Sequence, residues 1–584
     1  MKYLVCAINT KYIHSNPAVY ILTSYALAHC AELSGKDIET AEYTINNRPD
    51  EVMGSIYEKR PDVLFFSCYI WNFEYILELA ENLHKVLPQT DIWLGGPEVS
   101  FEAESVLERN GFLKGIMMGE GERSFLELIR YYQRPEEHRL SEIPGICWRG
   151  KENPAAENAL HSGTACRPVP LDDVPFIYQD GNIEDFQNKI LYYESSRGCP
   201  FSCSYCLSSV GPAAERKVRF RSLELVLREL QFFLDHKVRQ VKFVDRTFNI
   251  DSRRCAAILE FLLQHDNGVT NFHFEMAGEL LTEQELQILE QMRPGLVQLE
   301  IGVQSVNPET LRRIHRKADL ERLKEITARI LRAGNIHLHL DLIAGLPEED
   351  YGSFARSFCE VYAMQPSQLQ LGFLKVLKGT EMKTRAREYG IRYTSKAPYE
   401  VLETRWITYG EILRLKQVEE MLELYYNSRQ FTQTLLVLET EFTNPFEMFE
   451  QLAAFYQDRG YFVQSPSRIR RYQVLLEFVR EIAPDQEPLY RELLTFDLYA
   501  RENLKSRPPF AADQSPYKQT LRELLKSRAE KEKLHAEVFF YPVGRKTAEK
   551  ILDPSGAGPR ILIFNYSKRD PLDHNAGVEV FEMP

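Results

Sequence analysis

The chain has 584 residues, a mass of 68.0 kDa, 27% charged and 44% hydrophobic residues, and a net charge of −13. At ~150 residues per domain this suggests about four domains, or three larger ones. With 30 glycines and 30 prolines it is neither collagenous nor of low complexity. No apolar run approaches the ~18–20 residues of a membrane span, and the one near Met1 is too short for a signal peptide. The expectation is a soluble cytoplasmic protein with no membrane partner. The acidic balance argues against nonspecific nucleic-acid binding.

Residues 1–140 alternate short apolar runs with amphipathic stretches. Strands are predicted at Tyr3–Ile8, Val63–Ser67, Asp91–Leu94 and Gly115–Met118, and helices at Ala18–Leu33, Tyr75–Val86 and Ser124–Tyr132. This spacing implies an α/β domain: a doubly wound, Rossmann-like parallel sheet with helices on both faces. Its ligands are expected beyond the carboxyl ends of the strands, where Gly95, Gly96, Pro97 and Glu98, and Gly119, Glu120, Gly121 and Glu122, form turns. Residues 141–187, rich in proline, read as a linker with a small hairpin at Gly145–Gly150.

Over residues 188–395 the alternation resumes, with six candidate strands: Ile190–Ser195, Gln240–Val244, Asn271–Met276, Val297–Gly302, His337–Ile343 and Gln368–Val376. Six βα units fit a (β/α)-type TIM-like barrel, whose chemistry sits at the C-terminal strand ends. Residues 396–584 read as a mostly helical α+β domain. Its helices are Tyr399–Leu413, Val418–Tyr425, Phe431–Phe442, Phe446–Arg459, Arg468–Ile482 and Tyr517–Leu534, and its strands Ala536–Tyr541, Arg560–Tyr566 and Gly577–Phe581. Residues 501–570 carry 15 Lys and Arg against 9 Asp and Glu, a net +6. The basic residues around Lys526, Arg528, Lys531 and Lys533 are either one face of a solvated helix or a surface that docks a polyanion such as RNA. Phe539, Phe540 and Tyr541 would then stack on bases, or else form a core strand.

Of ten cysteines, three fall within eight residues: Cys199, Cys203 and Cys206. They follow the first strand of the barrel-like segment. Three thiolates do not close a tetrahedral structural zinc site, but they hold a [4Fe–4S] cluster with one iron left open to a ligand.

C-x3-C-x-aromatic-C after the first barrel strand resembles the radical S-adenosylmethionine (SAM) superfamily. The resemblance implies that the open iron chelates SAM and that one-electron reduction, from a flavodoxin- or ferredoxin-type donor, yields a 5′-deoxyadenosyl radical. It also implies SAM contacts at the strand ends. Tyr205 would lie near the adenine, Arg316 would pair with the carboxylate through its guanidinium fork, and Gln304 lies in a ribose-proximal segment. Asp245, Glu275, Glu300 and Asp341 complete this set; taken singly, Glu300 or Asp341 could be a satisfied polar residue at a barrel rim.

The domain that precedes the barrel resembles the cobalamin (B12)-binding class of these enzymes, and the whole chain a subgroup with an uncharacterised C-terminal domain. The resemblance implies cobalamin contacts at Asn9, Tyr12, His14, Ser67, Cys68, Tyr69, Trp71, Gly95, Gly96, Pro97, Glu98, Gly119, Glu120 and Gly121. The D-x-H-x-x-G motif of cobalamin mutases is absent. His14 is the nearest alternative cobalt ligand, or a loop histidine in a capped turn. A competing resemblance is to two-cluster methylthiotransferases, with Cys6, Cys30 and Cys68 holding a second cluster; buried thiols are the other reading of Cys6 and Cys30. The expected activity is cobalamin-dependent methyl transfer to an unactivated carbon, of a tRNA nucleoside or of a smaller molecule. A non-methylating rearrangement or cyclisation, and a non-enzymatic cobalamin or redox sensor, are the alternatives.

Overall fold

The computed structural model describes residues 1–150, 160–210, 217–526, 528, 533–541 and 558–583. The chain divides into two units: residues 1–300, 311–319 and 373–405 form the first, and 301–310, 320–372 and 406–584 the second.

The first unit opens with β1 (Tyr3–Asn9), α1 (Pro17–His29), β2 (Ile38–Thr44), α2 (Pro49–Lys59), β3 (Val63–Ser67), α3 (Phe73–Val86) and β4 (Asp91–Gly95). Next come α4 (Pro97–Ser100), α5 (Ala103–Arg109), β5 (Gly115–Met117), α6 (Glu122–Gln133), β6 (Ile146–Arg149) and β7 (Leu160–Ser162). The sheet order is β2-β1-β3-β4-β5-β6-β7. The first five strands run parallel, whereas β6 and β7 are antiparallel. The sheet is therefore mixed, and part of the stretch read as a linker extends it; residues 151–159 lie outside the described residues. β1 is buried on both faces. Tyr3, Val5 and Ala7 pack with α1 and α6 residues, and Leu4, Cys6 and Ile8 with residues of α2 and α3, as the strand period of two requires. β2 escaped the reading because it is a polar edge strand on which only Ile38 is fully buried.

Tight turns shape the carboxyl edge of this sheet. The Asn72 side chain donates to the carbonyls of Ile8 (2.9 Å) and Ser67 (3.0 Å), joining the ends of β1 and β3. Gly96 has φ +109, and a Cβ there would lie 2.5 Å from the Cys68 carbonyl oxygen. Only glycine permits this crossing of the β3–α3 and β4–α4 turns.

The unit continues with β8 (Leu191–Tyr193), the short antiparallel pair β9 (Ser196–Arg197) and β10 (Arg219–Phe220), α7 (Leu223–Asp235), β11 (Gln240–Phe243), α8 (Ser252–Gln264), β12 (Asn271–Met276), α9 (Glu283–Glu290) and the start of β13 (Val297–Gln304). β8, β11 and β12 pair in parallel. Edge-to-face rings of Tyr193, Phe233, Phe243 and Phe248 fill the space between strands and helices. The second unit holds the end of β13, then β14 (His337–Ala344) and β15 (Gln368–Phe373), alternating with helices Leu320–Ala333 and Tyr351–Ala363.

After residue 406 the second unit is helical. The helix expected at Tyr399–Leu413 begins only at Tyr409, capped by Thr408; Val401–Glu403 is instead a strand paired with Arg392–Tyr393. Glu487–Arg501 is a helix that the reading missed, because it is buried almost all round and shows no polar face. Its Asp497 carboxylate accepts from the Gln433 and Thr434 amides at 3.0 and 2.9 Å, capping the helix Thr432–Leu438 from outside. The helix expected over Tyr517–Leu534 ends at Lys526, and Lys531 lies outside the described residues. Strands Leu534–Phe539, Arg560–Arg569 and Ala576–Glu582 form an antiparallel sheet.

Gly96→Ala is expected to destabilise the first unit by about 2–3 kcal/mol, read as a lowered denaturation midpoint, while Gly35→Ala, with open space around it, leaves the midpoint in place. An unchanged midpoint in Gly96→Ala contradicts the crossing described above.

Candidate cofactor site

Within the first unit a cavity of about 640 Å³ lies over the carboxyl edge of the seven-stranded sheet and reaches the ends of β8 and β11. Val5, Leu22, Phe65 and Met117 give it an apolar floor. Tyr69 and Trp71 stack in one wall, with ring centroids 4.3 Å apart and planes 7° apart. Gly95, Gly96, Pro97, Gly119, Glu120 and Gly121 line the glycine turns. Gly119 has φ +75, and a Cβ there would meet nothing within 4 Å, so the turn leaves open space beside its backbone. An apolar floor, a flat aromatic wall and bare backbone suit a large planar group.

His14, Asn9 and Ser67 also line this cavity. The His14 Nδ1 shares a 2.7 Å hydrogen bond with the Tyr192 hydroxyl. Burial, then the nearby Lys11 and Lys242 charges, hold the imidazole below its usual pKa. Asn9 donates to the His14 carbonyl and to Glu42, both at 3.0 Å. Glu42 also accepts from the Asn16 amide (2.7 Å), Tyr20 (2.9 Å) and Lys189 (2.5 Å), which makes it the anchor of the β1–α1 loop. Three of the residues expected at the cofactor are not among those lining the cavity. Tyr12 is 70% exposed. Cys68 is buried, its thiol directed to the Phe66 carbonyl. Glu98 is buried in an ion pair with Lys378 (2.8 Å) and accepts from Tyr399 (2.5 Å).

The cysteine loop follows β9. All three thiols are free, with Cys199 and Cys203 buried and Cys206 half-buried. The Ser209 hydroxyl donates to the carbonyls of Cys203 and Cys206, both at 2.7 Å. Arg316 Nη1 lies 4.0 Å from Cys203 Sγ. Burial raises the Cys203 pKa, the Arg316 charge lowers it, and Cys206 raises it, so the two sulfurs feel one another. Tyr205, between them in sequence, is half-buried, and the desolvation of its phenol pushes the phenol pKa up. Three thiols close in sequence, one of them beside a guanidinium, suit an anionic iron–sulfur cluster with an open site.

The other expected SAM residues lie on strands or in the turns that follow them. Asp245 accepts from the Ser195 amide (2.8 Å) and from the hydroxyls of Ser195 (2.7 Å) and Ser196 (2.5 Å), fixing the backbone that leads into the loop. Burial pushes its carboxyl up to about 6. Glu300 pairs with Lys242 (3.1 Å) and His273 (2.9 Å), and Glu275 lies in β12. Gln304 and Asp341 belong to the second unit. Gln304 ends β13 with φ +73, and Asp341 lies 3.0 Å from His339.

Arg197, Arg219 and Glu194, which carry no role in the sequence analysis, tie the cavity to the loop through Glu120 and Glu122. Arg197, two residues before Cys199, pairs with Glu120 (2.7 Å), Glu122 (2.8 Å) and Glu194 (2.7 Å). Arg219 also pairs with Glu120. The segment Leu171–Tyr178, read as part of a spacer, contributes Leu171, Val174 and Pro175 to the cavity wall. No periodic pattern marks these residues; only the proximity of Arg197 to the cysteines does. Cys6 and Cys68 pack in one apolar cluster and Cys30 in the cluster on the other face of the sheet. That arrangement speaks against a second iron–sulfur cluster on these three thiols.

The chain matches the family model of the B12 binding domain over residues 12–129, that of the radical SAM superfamily over 193–358, and that described as a protein of unknown function (DUF4080) over 387–549. The chain thus carries B12 binding, radical SAM and DUF4080 domain matches in that order. These domains imply a [4Fe–4S] cluster, SAM and cobalamin as cofactors. The chain is 26% identical to the cobalamin-dependent radical SAM methyltransferase TokK of Streptomyces tokunonensis over 58% of this chain and 51% of that protein, so it spans about half the length of that relative. It is 24% identical to the hopanoid C-3 methylase of Methylococcus capsulatus, over 70% of this chain and 79% of that one. The solved structure of the cobalamin-dependent SAM radical enzyme OxsB, with aqua-cobalamin and SAM bound, aligns with a TM-score of 0.55 at 15% identity, covering 94% of this chain and 83% of that one. At this identity the likeness is one of fold. Among the described residues no helix is long and apolar enough to cross a membrane.

Cys203→Ala is expected to lower iron and sulfide in anaerobically reconstituted protein from about four of each per chain to a small residue, whereas Cys166→Ala retains them. Full iron content in Cys203→Ala contradicts the assignment of the loop.

Proposed function

We propose that the protein is a cobalamin-dependent radical SAM enzyme that transfers a methyl group to an unactivated carbon. The observation that carries this reading is that a single unit holds both the glycine-lined cavity and the three-cysteine loop, joined through Arg197. When bound, the cluster with SAM supplies a hydrogen-abstracting radical, and cobalamin supplies a transferable methyl group.

The residues of the chain then bind, orient and exclude water. Cys199, Cys203 and Cys206 would hold the cluster, and Arg316 offsets its negative charge at Cys203. The apolar floor and the Tyr69–Trp71 stack would hold the corrin and keep water from a reactive intermediate. The Tyr192 hydroxyl fixes the ring of His14 at the cavity wall. A flavodoxin- or ferredoxin-type partner would deliver the electron.

A substrate smaller than tRNA agrees best with the C-terminal sheet. Arg507 pairs with Glu537, and Arg528 with Glu579 at 2.7 Å. Arg501 donates to the Asp573 carbonyl. Phe539 is buried in the core, and the backbone amides of Phe540 and Tyr541 are bound by Glu492. Three of the fifteen basic residues of this segment, Arg501, Arg507 and Arg528, are thus committed to internal contacts.

Anaerobically reconstituted protein is expected to contain about four iron and one cobalt per chain and, with a reductant, to cleave SAM; Cys203→Ala abolishes that cleavage. About eight iron without cobalt favours the two-cluster reading, and binding of both cofactors without SAM cleavage, even with cell extract present, favours a sensor. Comparison of metabolite and nucleoside profiles with and without the protein separates a small substrate from tRNA.

A further inference from the structure

We infer that Arg197 is a positioning residue that couples occupation of the cobalamin cavity to the geometry of the cluster loop. The inference rests on the functional reading above and extends it to how the two cofactor sites act on one another.

Three observations converge on this residue. First, its guanidinium is shared. Nη1 donates to Glu120 at 2.7 Å, Nη2 to Glu122 at 2.8 Å and to Glu194 at 2.7 Å, and Nε to Glu194 at 2.9 Å. Its side chain is 20% exposed and that of Glu122 only 6%, so water screens these contacts weakly. Second, Glu120 and Glu122 flank Gly121 in the β5–α6 turn, and all three line the cavity. A bulky group seated against that turn presses on the residues that hold the guanidinium. Third, the backbone of Arg197, two residues before Cys199, is held in place by its pairing with Arg219 in the β9–β10 ladder. Gly198, between Arg197 and Cys199, has φ +105, and a Cβ there would lie 2.9 Å from the Lys217 carbonyl oxygen. On the other side, the Ser195 and Ser196 hydroxyls are fastened to Asp245. A shift of the guanidinium therefore acts on an anchored backbone two residues from the first cluster ligand.

The charges within this clasp fix its direction. Glu120, Glu122 and Glu194 face Arg197 and Arg219, which leaves the group one negative charge in excess. Separating such a group leaves the buried Glu122 carboxylate without a counter-ion, at a cost above that of an exposed pair. Fixing the loop through a bound cluster keeps Arg197 in place and so pre-organises the Glu120–Glu122 turn for the corrin. By reciprocity, a corrin in the cavity then favours the cluster-ready loop.

The test is a binding cycle on the full chain. Hydroxocobalamin binding is titrated anaerobically against iron-free and cluster-reconstituted protein, for the wild type, Arg197→Gln and Glu122→Gln. In the wild type the cluster is expected to tighten cobalamin binding by about fivefold or more. In Arg197→Gln the ratio of the two affinities falls to below about twofold, whatever its absolute affinity, and in Glu122→Gln it falls part of the way. Glu122→Gln keeps the shape of the side chain and the other two partners of Arg197, so it covers the case in which Arg197→Gln does not fold. A wild-type ratio near one, or an undiminished ratio in folded variants, overturns the inference. A wild-type protein that binds no cobalamin in either state overturns the functional reading instead.

Discussion

One half-buried cation organises the first unit. Arg197 leaves the first barrel strand region and meets carboxylates from two places far apart in the chain: Glu194 beside it, and Glu120 and Glu122 on the N-terminal sheet. A partly buried ion cluster of this kind contributes little net stability over an apolar equivalent, but it tolerates few alternative arrangements. The sheet edge that forms the cavity and the loop that carries the cysteines are thereby held in one relation. Lys378 plays a comparable part at the β4–α4 turn, where it pairs with the buried Glu98 and lies 4.9 Å from the Phe73 ring centroid.

Much of this architecture was legible because it rests on periodicity and spacing. The parallel strands β1, β3, β4 and β5 are short apolar runs, and the cysteine loop is defined by local spacing that no tertiary context is needed to recognise. What was not legible follows a physical rule. β2 is an edge strand, and Glu487–Arg501 is a helix buried on nearly every side, so neither has the one-sided pattern on which period analysis depends. β6 and β7 join the sheet through antiparallel pairing, which the proline-rich sequence around them obscures.

The same holds at the site. The glycine turns and the Tyr69–Trp71 wall could be placed because strand ends in such sheets face the ligand. Glu42, Glu122, Arg197 and Tyr192 could not, because each acts through a partner distant in sequence. Glu98 shows the converse. It stands in the right turn, yet its carboxylate is spent on Lys378 and Tyr399. A charged residue in a promising loop is a ligand candidate only after its internal partners are known. The basic C-terminal stretch makes the same point at the scale of a domain, since Arg507 and Arg528 are neutralised within it.

The central claim is that cobalamin and the iron–sulfur cluster occupy neighbouring parts of one unit. Electron paramagnetic resonance of full-length protein carrying both cob(II)alamin and the reduced cluster tests it most directly. Two paramagnets in one unit shorten each other's relaxation, so each signal should saturate less readily than in protein loaded with that centre alone. Signals that add without mutual effect, in protein shown to contain both centres, would contradict the account.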